Sequence, residues 1–539
     1  MKNKLKNSRY TMPGIFLALI TSVVSMAMPV SAGVRPQLVV GVVIDGLDKQ
    51  YLDMLREQFG NDGFNRLMRD GVVIPHADYG STVDATAATA MIATGASPST
   101  TGISGVNIYD REARRLVQAL NDPQAIGNFT TQTFSPRSLA VSTLADEIRI
   151  AGGGVSRVIA IAPEPTQAVI LAGHTGNSAL WIDDKTGYWA TSTYYKDLPT
   201  SVTYRNRLKP LPSRLDTMQW TPLKPAEAYV GLPDHITHYP FRYTFPRGNV
   251  DRYAMFVNSP KVNTEVTDIA GDIVDELKLG RPADGVDMLN VTYTLQPYIY
   301  SNTGENRYEL IDSYLRLDRE LARLFAKVES VAGPGNTVFF VAATPPSGRS
   351  RRDDERWNIP YGEFSTKKAK SLLNMYLMAK FGNGEWVNGF YNNQFFLNNK
   401  LIDERHLDAA NVRLEAAAFL ERMSGVDRVF TIDEILSGRG DAYYEALQRN
   451  NHANSSGDLF VEVAPGWETV DDILVPASEK RVHYVKRLAP ATAPLFIMAP
   501  DVDARTIDTP VDIRVVAPTI TRLLRIRSPN AASFAGLEL

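Results

Sequence analysis

The sequence predicts an α/β fold built on a mostly parallel central sheet. Three observations carry this. Residues 38–44 form a Val/Ile-rich run interrupted only by Gly41, the pattern of a strand buried on both faces. Comparable apolar runs return at 157–162, 288–294 and 338–343. Between them lie stretches with apolar residues at helical spacing, so strands and helices alternate.

Taken in order, the elements follow from composition. After the first strand, Tyr51, Leu52, Leu55 and Phe59 recur at helical spacing. Residues 85–94 are rich in Ala and other small side chains and read as a helix packed closely on the sheet. Residues 139–150 read as a helix stopped by Gly152, Gly153 and Gly154. From 198 to 258 the texture changes: Pro210, Pro212, Pro222, Pro225, Pro233, Pro240 and Pro246 predict a loop-rich inserted cap lobe. The α/β rhythm resumes with a helix near 267–277, the strand at 288–294, a long amphipathic helix at 308–330 and the strand at 338–343. A second insertion region spans 365–465, with helices at 365–381 and 404–423, a hairpin at 390–401 and a strand at 458–463. A strand at 495–498 and a helix at 511–524 close the chain. No repeat or low-complexity tract is present.

Composition excludes several classes. The formal net charge is −3, so no basic field argues for nucleic acid. There are no cysteines, which removes disulfides, a lipid-anchored cysteine, thiolate metal sites and a cysteine nucleophile. Lys2, Lys4, Lys6 and Arg9 precede an apolar run from Ile15 to Met28, and Val30-Ser31-Ala32 supplies small residues. This predicts a cleaved signal peptide at 1–32, a mature chain at 33–539, export to the periplasm or medium, and no transmembrane segment after cleavage. An uncleaved membrane anchor is the alternative; the run is short for a span.

Four motifs, in this order and spacing, carry a resemblance. They are the strand ending in Asp45-Gly46, the Ala85 to Gly95 helix leading to Ser97-Pro98, the Gly102-Ile103-Ser104-Gly105-Val106-Asn107 segment, and Tyr314-Leu315-Arg316-Leu317-Asp318-Arg319. Together they resemble the alkaline phosphatase superfamily, in its type I phosphodiesterase/nucleotide pyrophosphatase branch. The resemblance covers most of 36–530. It implies a three-layer α/β/α sandwich and a two-zinc site with an oxygen nucleophile.

Two zinc ions about 4 Å apart need roughly six N/O ligands, mostly Asp and His. Of the positions the resemblance implies, Asp45 alone keeps a ligand. Pro297 and Ser301 stand at the Asp-x-x-x-His pair, Thr344 and Pro345 at the later Asp-His, and Thr492 at the last His. The nucleophile position is Ala85, which cannot attack phosphorus. Thr86 is a remnant candidate only if the turn shifts by one residue, about 100° around a helix. The phosphate-contacting Asn position falls on Val106, leaving Asn107 as a neighbouring remnant candidate. Glu164 and Thr166 stand where a Lys and an Arg would hold phosphate; a Glu there inverts the charge.

The sequence therefore predicts a catalytically inactive alkaline-phosphatase-like protein of the cell envelope with a binding or scaffold role. Its partner would be an envelope protein or a glycan, and no cofactor is expected. The alternative is a metal-dependent phosphomonoesterase or phosphodiesterase with a rewired centre, using zinc and built from Asp45, Asp84, Thr86 and Asn107. Other features keep two readings. Asp45 is either a vestigial metal ligand or a turn cap. His235 and His238 are either a ligand pair or solvated loop residues, and His483 lies near the Thr492 position. Arg349, Arg351 and Arg352 are either an anion site or a solvated loop. Trp220, Tyr229, Tyr239 and Tyr243 either stack on sugars or pack the cap lobe's own core.

Overall fold

The computed structural model describes residues 36–539, apart from 82, 231–239, 283, 302–305, 347–360, 439–440, 453–454, 472–481 and 485–490. The expected leader, His235, His238, Tyr239, Arg349, Arg351 and Arg352 lie outside the described residues.

The strand β1 (Leu38–Asp45) sits near the middle of a large sheet, and every residue before Asp45 is buried. Branched side chains suit that two-sided burial. Around it run β2 (Val72–Asp78), β3 (Val158–Ile161), β4 (Ser178–Ile182), β5 (Trp189–Ser192), β6 (Asp287–Thr294), β7 (Thr337–Thr344) and β8 (Thr492–Met498). Their spatial order is β2-β8-β7-β1-β6-β3-β4-β5. The five from β7 to β4 are parallel, while β8 and β5 join antiparallel. Gly41 is required by packing: a Cβ there would lie 2.3 Å from Asn290 Oδ1 and 2.4 Å from Phe340 Cζ, on the strands to either side.

Helices cover both faces. The helices α1 (Ala85–Thr94), α2 (Leu144–Ala151) and α3 (Pro165–Ala172) pack on one face, with the closing helix Val516–Leu524 beside them. The helices α4 (Lys261–Leu277) and α5 (Arg307–Ala332) pack together on the other. Strand β6 shows the division. Asn290 Nδ2 donates to the Leu171 carbonyl of α3, whereas the Tyr293 hydroxyl meets Thr267 of α4 at 2.8 Å. Residues three apart on a strand point to opposite faces. The architecture is thus the expected three-layer sandwich with a mostly parallel sheet.

Several boundaries differ from the sequence expectation for physical reasons. The helix expected over 139–150 begins only at Leu144, because Thr143 and Asp146 close a reciprocal capping box. The helix expected over 404–423 is shorter, Ala409–Leu420, and a separate helix, Asn399–Glu404, follows the hairpin strand. Despite its prolines, the stretch 198–258 contains the helices Thr200–Leu208, Leu211–Leu215 and Arg252–Val257. Pro210 and Pro212 fall at the start of a helix, where the missing N–H costs nothing.

The 365–465 region carries its own core around Leu373, Trp386, Phe395, Val412 and Val461. Its hairpin, Val387–Tyr391 and Gln394–Leu397, turns through Asn392 and Asn393 at φ 55° and 61°. Two consecutive left-handed residues make the turn that matches strand twist, and Asn tolerates it. Tyr109 stacks on Phe396 with ring centroids 4.2 Å apart, and Arg111 donates to Asp458 at 2.9 Å, so the hairpin Asn107–Gln118 docks on this region.

Candidate functional site

Parallel strands bring their C-terminal ends to one edge of the sheet, where α/β proteins place their sites. Here β1, β6 and β7 end in register, setting Asp45 beside Thr294 and Thr344. The Thr344 hydroxyl donates to Asp45 Oδ1 at 2.5 Å and accepts from the Gly46 amide at 3.3 Å. The Gln296 side chain also bonds the Asp45 carboxylate. Burial raises the Asp45 carboxyl above its usual range, against these hydrogen bonds, and the nearby Asp84 charge adds to the rise.

The start of α1 is fully engaged in local structure. Asp84 caps the helix, accepting from the Ala87 amide at 2.8 Å, and its second oxygen accepts from the Val106 amide at 2.8 Å. It therefore fastens the helix to the Gly102–Val106 turn. Ala85 is the first helical residue and offers only a methyl group. Thr86 is buried, and its hydroxyl pairs with that of Thr166 at 3.0 Å. The residue beside the implied nucleophile position and the residue at the implied Arg position thus satisfy each other. Asn107 opens the Asn107–Gln118 hairpin, paired with Gln118; among the described residues its side chain makes no hydrogen bond to Asp45, Asp84 or Thr86. Val106, where the resemblance implies an Asn, is 39% exposed.

Glu164 precedes α3 and reaches solvent from a crowded recess. The protein walls desolvate its carboxyl, and the charges of Asp184 and Asp45 reinforce this, pushing it up to about 6. Among the described residues no basic side chain pairs with it, so an acid stands where the resemblance implies the base that phosphate recognition needs.

The remaining implied ligand positions do not fit two zinc ions. Thr344 is held by Asp45, and Pro345 has no donor atom in its side chain. Pro297 is equally unable to coordinate. Ser301 faces the cap lobe, 3.2 Å from both the Tyr243 hydroxyl and Glu309 Oε1. Thr492 is exposed and paired with Asp78 on β2. Among the described residues no three His, Asp or Glu side chains converge. His483 lies on the strand Val482–Tyr484, paired with Val470.

The aromatic residues of the cap lobe form its core. Trp220, Tyr229 and Tyr243 are buried. Trp220 Nε1, the Tyr229 hydroxyl and the Leu223 amide each donate to Asp312 at 2.7 Å, and Arg316 Nε donates to it at 2.6 Å. These three rings are unavailable for sugar stacking.

Sequence reading missed one polar cluster. Asp146 of α2 accepts from Thr143, Thr175 and His174, and the signal was the Thr143-x-x-Asp146 capping pattern.

The family model for type I phosphodiesterase / nucleotide pyrophosphatase matches residues 39–484. Alkaline phosphatase PafA of Elizabethkingia meningoseptica is 28% identical over 533 residues, covering 95% of this chain and 96% of that protein. Alkaline phosphatase PhoV of Synechococcus elongatus is 28% identical over 520 residues, covering 92% of each. The crystal structure of wild-type alkaline phosphatase PafA aligns with a TM-score of 0.82 at 27% identity, covering 93% of this chain and 98% of that one.

Proposed function

We propose that this chain, which belongs to the type I phosphodiesterase / nucleotide pyrophosphatase family, is a member that has given up two-zinc hydrolysis and serves as an exported binding or scaffold protein of the cell envelope. The single observation that carries the proposal is the Thr344–Asp45 hydrogen bond. A hydroxyl stands where the family resemblance implies a carboxylate ligand, and it donates to the one ligand that remains. Ala85 at the nucleophile position and Glu164 and Thr166 at the clamp positions point the same way. Export rests on the leader-like pattern at 1–32 and on relatives named as alkaline phosphatases; no helix among the described residues is long and apolar enough to cross a membrane.

A second reading has specific support. Two relatives covering more than nine-tenths of the chain are named alkaline phosphatases. A rewired phosphoric ester hydrolase would draw on Asp45 and its neighbours and would need zinc held by a different ligand set.

The deciding experiment measures metal content by mass spectrometry after incubation with zinc, then turnover of p-nitrophenyl phosphate and bis-p-nitrophenyl phosphate on the same sample. The expected result is no stoichiometric metal and no turnover. Two metals per chain with turnover abolished by Asp45→Ala would overturn the proposal in favour of the rewired enzyme.

A further inference from the structure

We propose that His174 is a pH-sensitive strut: as an imidazolium it ties the Asp146 carboxylate to the Leu139 carbonyl, and on losing a proton it releases one of them and loosens residues 139–142. The geometry is specific. His174 Nδ1 lies 2.9 Å from Asp146 Oδ2, and Nε2 lies 3.0 Å from the Leu139 carbonyl oxygen. A carboxylate and a carbonyl can only accept. A neutral imidazole has one N–H and can satisfy only one of them; the imidazolium has two.

The charges around the ring favour the proton. Contact with the Asp146 carboxylate raises His174 above its ordinary 6.5, while burial opposes the rise. Burial alone would raise Asp146, but hydrogen bonds from His174 and the Thr143 amide hold it below its usual range. The other charged or titratable groups on the elements around the ring bond elsewhere. On α2, Arg149 bonds the Thr175 carbonyl and Glu147 bonds Ser142. Before α2, Arg137 pairs with Asp122 and lies over the Tyr194 ring. The Tyr194 hydroxyl donates to the His174 carbonyl and that of Tyr195 to the Gly173 carbonyl. Among the described residues, Asp146 is the only carboxylate in hydrogen-bond contact with the ring.

The consequence reaches the candidate site. The Ala140 amide, next to the Leu139 carbonyl, donates to the Thr101 carbonyl at 3.0 Å and so braces the short helix before Gly102. Gly102 opens the turn that Asp84 fastens through Val106. Ser142 exchanges two hydrogen bonds with Asn530 near the C-terminus. The segment 139–142 therefore joins the site turn, the C-terminal residues and α2. His174 has a raised folded pKa, so its contribution is complete below 6.5 and is lost as pH rises through the folded value. A protein exposed to the outside medium would meet such changes directly.

The test uses the full chain labelled at histidine nitrogens. Ring nitrogen shifts are followed from pH 5.5 to 9, beside hydrogen-exchange mass spectrometry of peptides covering 97–103, 136–142 and 528–531, corrected for intrinsic rates. The expected result is that both His174 nitrogens stay protonated above pH 6.5. Protection of 139–142 should then fall about tenfold as the proton leaves, the scale of one buried acceptor left unpaired. In His174→Gln that step should disappear. A His174 that deprotonates at or below 6.5, or a step that persists in His174→Gln, would overturn the proposal. If His174→Gln does not fold, the native titration still decides: ring deprotonation with unchanged protection at 139–142 refutes it.

Discussion

Replacing Asp45 by Asn separates a vestigial ligand from a working one. In the native chain burial raises the Asp45 carboxyl above 3.8. A carboxylate with a raised folded pKa contributes stability below its unfolded pKa and loses it as pH rises through the folded value. Ionising the group therefore works against the fold. Asn removes the charge with little change of shape: its carbonyl still accepts from Thr344, and the Gln296 amide can rotate to accept from its NH2. Replacing a buried carboxylate by its neutral isostere while keeping the Thr344 hydrogen bond removes a desolvation cost on the order of 1 kcal/mol. For a chain of 539 residues, an unfolding entropy of about 2 cal/mol/K per residue turns this into roughly 1 °C. Urea denaturation of both proteins at pH 7 and pH 4, with thermal melts alongside, reads the effect. Asp45→Asn should be more stable at pH 7, with the difference closing toward pH 4. A variant less stable at pH 7, whose deficit vanishes when the native protein is treated with a chelator, would refute the reasoning and make Asp45 a cation ligand.

Other outcomes follow from the same structure. Gly41→Ala should cost about 3 kcal/mol by overpacking β1 against Asn290 and Phe340, seen as a lowered denaturation midpoint. Gly271→Ala, in α4, would meet only the Lys327 side chain at 3.7 Å and should instead stabilise by about 0.5–1 kcal/mol in the same measurement. Asp312→Ala strands the donors of Trp220, Tyr229 and Arg316, and should cost about 4 kcal/mol with a red shift of tryptophan emission as the cap lobe loosens. Glu164 should protonate near pH 6 by carboxyl carbon shift, and Asp45→Asn should move that midpoint down. Because the pKa is raised, stability from Glu164 is lost as pH rises through about 6, and Glu164→Gln should flatten the stability profile between 4.5 and 6.

The fold was legible where burial on both faces forces a continuous apolar run. Strands β1, β6 and β7 each lie within a residue of their sequence-read limits, because no amphipathic alternation competes with that signal. Boundaries set by one side chain were less legible. Thr143 ends the extended segment before α2 by capping, which apolar periodicity does not register. The cap lobe's helices were hidden by prolines that turn out to start one of them rather than break it. At the candidate site, the residue types were legible but their partners were not. Nothing in the spacing joins Thr86 to Thr166, 80 residues apart, or Thr344 to Asp45, 299 apart. Asp84 could be read as a catalytic remnant in sequence, whereas in space both its oxygens are occupied by backbone amides.

Under the proposed loss of two-zinc hydrolysis, the residues at the site follow one electrostatic logic. Carboxylates crowded at three strand ends are tolerable when divalent cations lie between them; without cations, like charges at that distance drive each other toward protonation. Removing the second carboxylate and substituting a hydroxyl relieves that repulsion and supplies a donor to the acid that stays. Thr344 does both for Asp45, and by accepting from the Gly46 amide it also fixes the turn after β1. Thr86 and Thr166 repeat the pattern with two neutral hydroxyls where the resemblance implies a nucleophile's surroundings and a guanidinium. Random decay of a site would leave unpaired buried polar groups, which cost about 1–3 kcal/mol each. Here Asp45, Asp84, Thr86, Thr166 and Thr344 each have a hydrogen-bond partner. These bonds, from side chains and backbone amides together, hold the strand edge in one shape, which is what the proposed binding or scaffold role would require of it.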